Sequence, residues 1–514
     1  MAVTINGCAV EAVAGASLFD HAERAAIAVP TSCQKQGKCR ECIVEVTQGA
    51  ECLTPRTPSE RHLSGQFRLS CQARVTPSSE PALVCHTMRR AQMRIETSGR
   101  AVSLPHEPAP GYGLSMDLGT TTIVLRLYNL ETGALVAATS FENPQRFGGS
   151  DVMSRIHYDT THPGRLLLRT LAGYLSRAIA GFPVDPHSIT EMVVVGNSTM
   201  RDLFFRKSVY TIGQNPYRSI TEIELAEGKR ATTALTETGR RSLLPIHPEA
   251  HVYGAPILSG HVGADAAACM LATGIAHEDR IAAIMDIGTN TELILGNRRR
   301  ILAASCPAGP AFEGGAIGCG MPALEGAIED FAIDEDGTFH LGVIGGAAPA
   351  GICGSGLVDI LSELLRTGRM NELGRFDEIE LAPGIRFTEN DASELAQAKG
   401  AHVAGLRIVC ETYGIDVQDI NVFYLAGGFG RHLKPDAARR IGLIPDLSDA
   451  RIVLAGNAAI EGASIALLSR TRRAEMEQIV RGVEHCRLET HPRFFDYFVE
   501  GCQFRPVQSL AHHA

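Results

Sequence analysis

Four cysteines near the amino terminus and two copies of one acidic glycine–threonine turn are where this sequence can do chemistry. Cys33, Cys39, Cys42 and Cys71 have the spacing C-x5-C-x2-C with a distant fourth thiol. An iron–sulfur cluster needs four thiolates converging on a small inorganic core, three from one loop and one from a neighbouring strand end, and this spacing provides them. Gly37 suits a loop that wraps closely, and Lys35, Lys38 and Arg40 can offset the thiolate charge. A structural zinc site is the competing reading. Zinc usually takes paired C-x2-C units, and one such unit is present, so the spacing favours a cluster. Cys8, Cys52 and Cys85 sit outside the pattern and read as ordinary packing thiols.

The repeated turn occurs in Leu114–Leu127, LSMDLGTTTIVLRL, and in Ala282–Gly296, AAIMDIGTNTELILG, about 170 residues apart. Each copy reads as an apolar strand, a tight turn and a second strand, with Asp117 or Asp286 ending the first strand. Such a hairpin holds phosphate. Gly119 and Gly288 let backbone N–H groups face oxyanions at close range, and Thr120, Thr121, Thr289 and Asn290 add donors. The Asp117 and Asp286 carboxylates supply hard oxygen for a magnesium ion and its waters. One such turn is commonplace; two predict a duplicated domain gripping one nucleotide between its halves.

Two further glycine turns join them. Val422–Arg431, VFYLAGGFGR, is an apolar strand running into Gly427, Gly428 and Gly430, where an adenosine can lie against bare backbone. Gly351–Leu365, GICGSGLVDILSELL, opens an amphipathic helix whose first N–H groups suit an anion, making Gly354, Ser355 and Gly356 phosphate candidates. In Met192–Phe204, MVVVGNSTMRDLF, a strand-to-helix turn makes Gly196, Asn197, Ser198 and Thr199 cleft candidates, while a plain helix cap serves Ser198 equally well. Asp265 is either a late nucleotide or metal-water contact or a cap. Glu313, the only charge in SCPAGPAFEGGAI, is placed near the cleft. Cys306, Cys319 and Cys353 lack a C-x2-C unit and read as buried thiols rather than a second cluster.

The elements that must position these groups follow from local signals. Asn6–Gly7 turns a hairpin, and Ser17 caps a helix over Ser17–Ala28 with Leu18, Ala22 and Ala25 inward. The charged, proline-rich run from Met88 to Gly111 reads as a semi-rigid tether on which the N-terminal module can swing. Ser150 or Asp151 caps a helix beginning near Val152. The expected organisation is 1–87, 88–111 as linker, 112–273 and 274–514, within the two to four domains that about 500 residues suggest. A net charge of −9 argues against nucleic acid or an anionic membrane as partner. With no basic-then-apolar start and no apolar run of about 18 residues, a cytoplasmic protein without a membrane span is expected. The 14 cysteines in so long a chain then read as metal ligands plus buried thiols.

The order DLGTTT, DIGTNTE, LAGGFG resembles the ASKHA superfamily, the fold of acetate and sugar kinases, Hsp70 and actin, from about Gly111 onward. The resemblance implies an α/β body of duplicated ribonuclease-H-like halves whose hairpins bind the β- and γ-phosphates of ATP. It also places the helix expected over Asp391–Tyr413 beside adenine, making Lys399 a candidate contact, with a solvated lysine as the alternative. The N-terminal segment resembles β-grasp 2Fe–2S ferredoxin domains, with five rather than four residues between the first two ligands. With AGPAFEG and GICGSGL added, nearly the whole chain resembles the reductive activators of corrinoid enzymes.

That family implies an ATP-hydrolysing activase that returns the corrinoid protein of a methyltransferase system from Co(II) to Co(I). By the same resemblance, Cys33, Cys39, Cys42 and Cys71 carry the electron, and Asp117 and Asp286 act catalytically by holding magnesium. Gly119–Thr121 and Gly288–Asn290 then hold phosphates, and Gly427, Gly428 and Gly430 admit adenosine. A corrinoid protein, an upstream low-potential electron donor and a second copy of the chain are the implied partners. The short linker departs from larger members, leaving little room for their additional domain. Three rivals stand beside this reading: an activator of a radical dehydratase-like enzyme, which would use a subunit-bridging 4Fe–4S centre; a small-molecule kinase with an accessory ferredoxin; and a redox sensor in which nucleotide only sets shape.

Overall fold

The computed structural model describes residues 2–31, 33–77, 82–88, 104–428, 433–447 and 450–507. Gly430 and residues 89–103 of the expected linker lie outside the described residues.

The Asn6–Gly7 turn takes positive φ at both residues and joins β1 (Ala2–Ile5) to β2 (Cys8–Glu11). Ser17 caps α1 (Leu18–Arg24) through a capping box with Asp20, and Leu18, Phe19 and Ala22 face inward. The helix stops short of Ala28 because Ala26 turns to positive φ. β3 (Ile43–Gln48), β4 (Phe67–Leu69) and β5 (Ala82–Thr87) complete a sheet in the order β2-β1-β5-β3-β4, with β1 and β5 parallel at its centre. This is a β-grasp arrangement.

Two larger sheets then repeat one plan. The first contains β6 (Tyr112–Leu118), β7 (Thr122–Asn129), β8 (Leu135–Glu142), β9 (Ile189–Val195), β10 (Leu235–Thr238) and β11 (His251–Gly254). Its helices are α2 (Val152–Thr161), capped by Asp151, α3 (Leu166–Ala180), α4 (Ser198–Phe204), α5 (Ile220–Ala226), α6 (Gly239–Ser242) and α7 (Ala264–Thr273). The second contains β12 (Ala282–Asp286), β13 (Thr291–Asn297) and β14 (Arg300–Cys306). A small sheet of β15 (Ala327–Ile333), β16 (Phe339–Val343) and β17 (Gly351–Ile352) leads into α8 (Gly354–Arg366), and a hairpin of β18 (Ile379–Ala382) and β19 (Ile385–Phe387) into α9 (Glu389–Tyr413). β20 (Val422–Ala426), α10 (Pro435–Arg440), β21 (Arg451–Gly456), α11 (Ala458–Leu468), α12 (Arg470–Gly482), β22 (Val483–His485) and α13 (Phe494–Gly501) finish the chain.

The sheet orders are β10-β11-β9-β6-β7-β8 and β21-β20-β12-β13-β14-β22. In each, an antiparallel hairpin, β6–β7 or β12–β13, lies beside a parallel strand, β9 or β20. The small-residue helices α7 and α11 pack between the sheets in a shared apolar core with Val193, Val195, Ile284 and Ile294. The fold is therefore α/β with duplicated halves behind a β-grasp module. Among the described residues, no helix is long and apolar enough to cross a membrane.

The expected swing of the N-terminal module is not what the structure holds, because that module is seated on α2 and α3. One buried apolar cluster runs through both, from Val3 and Leu69 to Leu167 and Leu171. Arg169 donates to Cys39 O at 3.0 Å and to Glu41 at 3.2 Å, Arg177 donates to Val29 O at 2.5 Å, and Tyr158 donates to His62 O at 3.2 Å. A linker's composition says nothing about such contacts, which come from residues 96 to 148 positions away.

Candidate functional site

The cysteine loop is held open by backbone geometry: Gln34, Lys35, Gly37 and Arg40 all have positive φ between Cys33 and Cys42. A side chain at Gly37 would come within 2.9 Å of Gln72 Nε2 and 3.3 Å of Ser59 Oγ, so the loop lies directly on the turn carrying Cys71. Cys39, Cys42 and Cys71 are buried and Cys33 is half-buried. The thiols influence one another in two pairs, Cys33 with Cys39 and Cys42 with Cys71. Burial, which would push Cys33 up, is outweighed by hydrogen bonds from Cys39, Lys38 and Gln36, leaving it at about 7. The Cys42 hydrogen bond, working against burial, brings Cys71 to about 6.

Two pairs suit a core of two irons, each taking two thiolates. A zinc site would gather four ligands around one ion, whereas these thiols associate two and two. Lys35 does not face the thiolates as expected, because Asp20 at 2.8 Å and Glu23 at 2.6 Å take its charge. Cys52 and Cys85 are buried as expected, but Cys8 is exposed on the edge strand β2.

The second site is a cleft of about 290 Å³ between the two larger sheets. Asp117, Gly119, Thr120 and Thr121 line it from one half, and Asp286, Gly288, Thr289 and Asn290 from the other. Gly354 at the start of α8, and Gly427 and Gly428 after β20, also reach it. The turns meet directly: the Thr121 and Thr289 hydroxyls are 2.9 Å apart. Beside them, Gly196 and Gly427 play matching parts. Each has positive φ, and a Cβ there would strike Leu118 O at 2.5 Å or Ile287 O at 2.2 Å, next to the two turns.

Each aspartate is held from the opposite half. Asn457, the cap of α11, donates to Asp117 Oδ2 at 2.8 Å, and the Cys269 thiol of α7 donates to Asp286 Oδ2 at 3.2 Å. Burial pushes Asp117 up to about 7, with Asp286 adding to it and Asn457 opposing. Burial likewise raises Asp265 to about 7, and Asp286, Glu292 and Glu313 upward. Buried carboxyls of this kind are hard-oxygen donors whose charge calls for a cation. Asp117, Asp286, Asp265, Glu292 and Glu313 all line the cleft, an oxygen-rich set that suits magnesium, which keeps several waters and binds substrate phosphate.

Several expectations are refined. Of the Gly196–Thr199 turn, Asn197 lines the cleft and donates to Thr120 Oγ1 at 2.8 Å. Asn197 is also the cap of α4, whereas Ser198 donates to Ser259 O at 2.6 Å and is neither cap nor lining residue. Asp265 and Glu313 line the cleft. Ser355 does not; its hydroxyl lies 3.4 Å from the Cys353 thiol. Lys399 is buried and donates to Gly501 O and Gln503 O, tying α13 to α9 and leaving the cleft without it. Sequence reading missed Asn457, whose signal is a second strand–Gly–Asn–helix turn, LAGNAA beside VGNST. It also missed Glu292, which faces Asp286 across the hairpin.

Comparison with known proteins covers all three regions. Residues 3–76 match the 2Fe-2S iron-sulfur cluster binding domain, 112–278 the RACo middle region, and 280–512 the C-terminal domain of RACo, the ASKHA domain. The corrinoid activation enzyme RamQ of Eubacterium limosum is 31% identical over 431 residues, which is 77% of this chain and 70% of that protein. A Co(II) methylated amine-specific corrinoid protein reductase of Methanosarcina barkeri is 25% identical over 418 residues, 76% of each chain. The solved structure of a reductive activator for corrinoid, iron-sulfur protein superposes with a TM-score of 0.71 at 25% identity, covering 98% of both chains. The paired cysteines in a β-grasp sheet, the twin-turn cleft and these matches lead to one conclusion: the chain belongs to the RACo family, with a 2Fe–2S domain, a RACo middle region and an ASKHA C-terminal domain.

Proposed function

We propose that this protein is an ATP-dependent reductive activator that returns the corrinoid protein of a methyltransferase system from Co(II) to Co(I), drawing electrons from a low-potential donor. The observation that carries the coupling is a strap of five residues between the first turn and the β-grasp module. Asn143 Nδ2 donates to Gly119 O at 2.8 Å, and its amide donates to Thr121 O at 2.6 Å. Arg146 pairs with Glu142 at 2.6 Å and with Glu45 of β3 at 3.4 Å. β3 begins next to Cys42. A change at the phosphate turn is thus one short segment away from the electron carrier.

In this reading Thr120, Thr121, Thr289 and Asn290 would donate to the phosphates, with Gly119 and Gly288 giving close backbone approach. Asp117 and Asp286 would hold a magnesium ion, which when bound would supply positive charge against the phosphates. Gly354 adds an N–H group, and Gly427 and Gly428 leave bare backbone for adenosine, a turn that Gly430 would complete. Cys33, Cys39, Cys42 and Cys71 hold the cluster, which when bound stores one electron near about −400 mV. An acceptor ~100–200 mV lower makes each electron cost ~2.3–4.6 kcal/mol. Inverting a two-state equilibrium from 1:99 to 99:1 takes about 5.5 kcal/mol of differential binding, a similar amount.

The test mixes cluster-loaded protein, reductant and a Co(II) corrinoid protein and follows Co(I) absorbance. Growth with Mg-ATP and none with ADP or without nucleotide is expected. Equal Co(I) formation without nucleotide would sink the reading.

A further inference from the structure

We propose that Glu313 is the group that takes the proton from the water attacking the terminal phosphate, which makes it a catalytic residue of hydrolysis. The proposal rests on the ATP reading above and assigns a step within it.

Glu313 ends the single turn Ala311–Glu313, in a loop of the second half, yet it touches both halves. Its Oε2 accepts from Thr121 Oγ1 at 3.1 Å and from the Thr289 hydroxyl. Those two hydroxyls belong to the two phosphate turns, so this carboxyl oxygen sits where a phosphate chain gripped from both sides must end. The other cleft carboxyls are placed differently. Asp117 and Asp286 are held by Asn457 and Cys269, and Glu292 accepts from Ser305 Oγ at 3.3 Å beside Asp286. Of these carboxyls, Glu313 is the one that accepts from hydroxyls of both turns.

The surroundings suit a base. Glu313 lines the cleft, and burial raises its affinity for a proton, with the Thr289 and Thr121 hydrogen bonds opposing. Arg155 acts on it only through space, because that guanidinium is bound to Gly149 O at 3.0 Å and Met200 Sδ at 3.1 Å. The charge of Glu313 is therefore left for chemistry rather than spent in an ion pair with Arg155. In the step, the water oxygen bonds to the γ-phosphorus, the bond to the β–γ bridging oxygen breaks, and its electron pair leaves with ADP. The water proton goes to Glu313 and from there to solvent. Nothing is oxidised or reduced. A residue that orients and deprotonates the nucleophile is a recurring requirement of phosphoryl transfer to water.

The experiment compares full-length, cluster-loaded wild type with Glu313→Gln and Glu313→Asp, measuring phosphate release and Mg-ADP affinity with and without a corrinoid protein. For Glu313→Gln, phosphate release should fall at least ~100-fold, the lower end for a positioned base. Mg-ADP affinity should stay within about threefold, a small change on the scale of binding energies, and Glu313→Asp should be intermediate. Wild-type hydrolysis should decline as pH falls through the raised range that Glu313 shares with Asp117, Asp265 and Asp286, and this acid limb should change position in Glu313→Gln. An unchanged thermal midpoint and cluster absorbance establish that the variant is folded. Hydrolysis near the wild-type rate would overturn the assignment, as would loss of Mg-ADP binding in parallel with hydrolysis. No phosphate release by wild type would instead overturn the ATP reading itself.

Discussion

The two halves of the large body share a plan and differ by one residue of register. Asp117 faces Val124 across the first hairpin, whereas Asp286 faces Glu292 across the second. Aligned on their Asp-x-Gly-Thr turns, Ile123 and Glu292 occupy the same sequence position. Ile123 is buried in the core, but the slip turns Glu292 toward the cleft, since shifting a strand by one residue exchanges its faces. Other differences divide the labour. The first half carries the β-grasp module on α2 and α3; the second carries Glu313 and the glycine turn after β20. Duplication gives two matching turns, and the departures from symmetry put the carboxyls Glu292 and Glu313 in the second half and the seat of the 2Fe–2S domain in the first.

The largest expected effect tests the symmetric part. Asp117→Ala and Asp286→Ala should each lower phosphate release at least ~100-fold, as loss of a charge-stabilising group in a water-excluded site does. If either variant stays near the wild-type rate, the halves do not share the grip.

A second variant breaks the asymmetric part. Arg169→Ala removes the links to Cys39 O and Glu41. Being partly exposed, that contact is worth about 1 kcal/mol or less after solvent screening. Hydrogen exchange in β3 and the Cys39–Cys42 loop should speed up, and Co(I) formed per ATP should fall, with phosphate release little changed. Unaltered exchange would mean that the module is held by its apolar contacts alone.

The smallest effect sharpens the acid chemistry. Asp117 sits at about 7 against an ordinary 3.8, so the native state binds more protons between those values. The stability this carboxyl contributes is present at the acid end and is lost as pH rises through about 7. Without nucleotide or magnesium, the thermal midpoint of wild type should therefore drop more between pH 5 and pH 8 than that of Asp117→Asn, by about a few degrees. Identical slopes would show that Asp117 is not strained by burial.

Much of this was legible in the chain. The cysteine spacing, both hairpins and the glycine strand end are local patterns whose chemistry depends on close neighbours, and Glu313 stood out as the single charge in an apolar loop. Ser355 was singled out for the backbone N–H groups of a helix N-terminus, and no local pattern tells that Gly354 lines the cleft while Ser355 does not. Lys399 was misread because only the C-terminal carbonyls 102 and 104 residues away explain a buried ammonium. The docking of the β-grasp module and the cross-held aspartates depend on tertiary contacts between distant segments, and no local pattern reports those.

The most direct test of the central claim is a single-turnover measurement. Protein reduced at its cluster is mixed with a Co(II) corrinoid protein, and cluster reoxidation is followed in the visible spectrum while phosphate release is recorded in the same sample. Reoxidation that begins on addition of Mg-ATP and is absent in Asp286→Ala is the predicted result. Reoxidation at one rate with and without Mg-ATP would contradict the account.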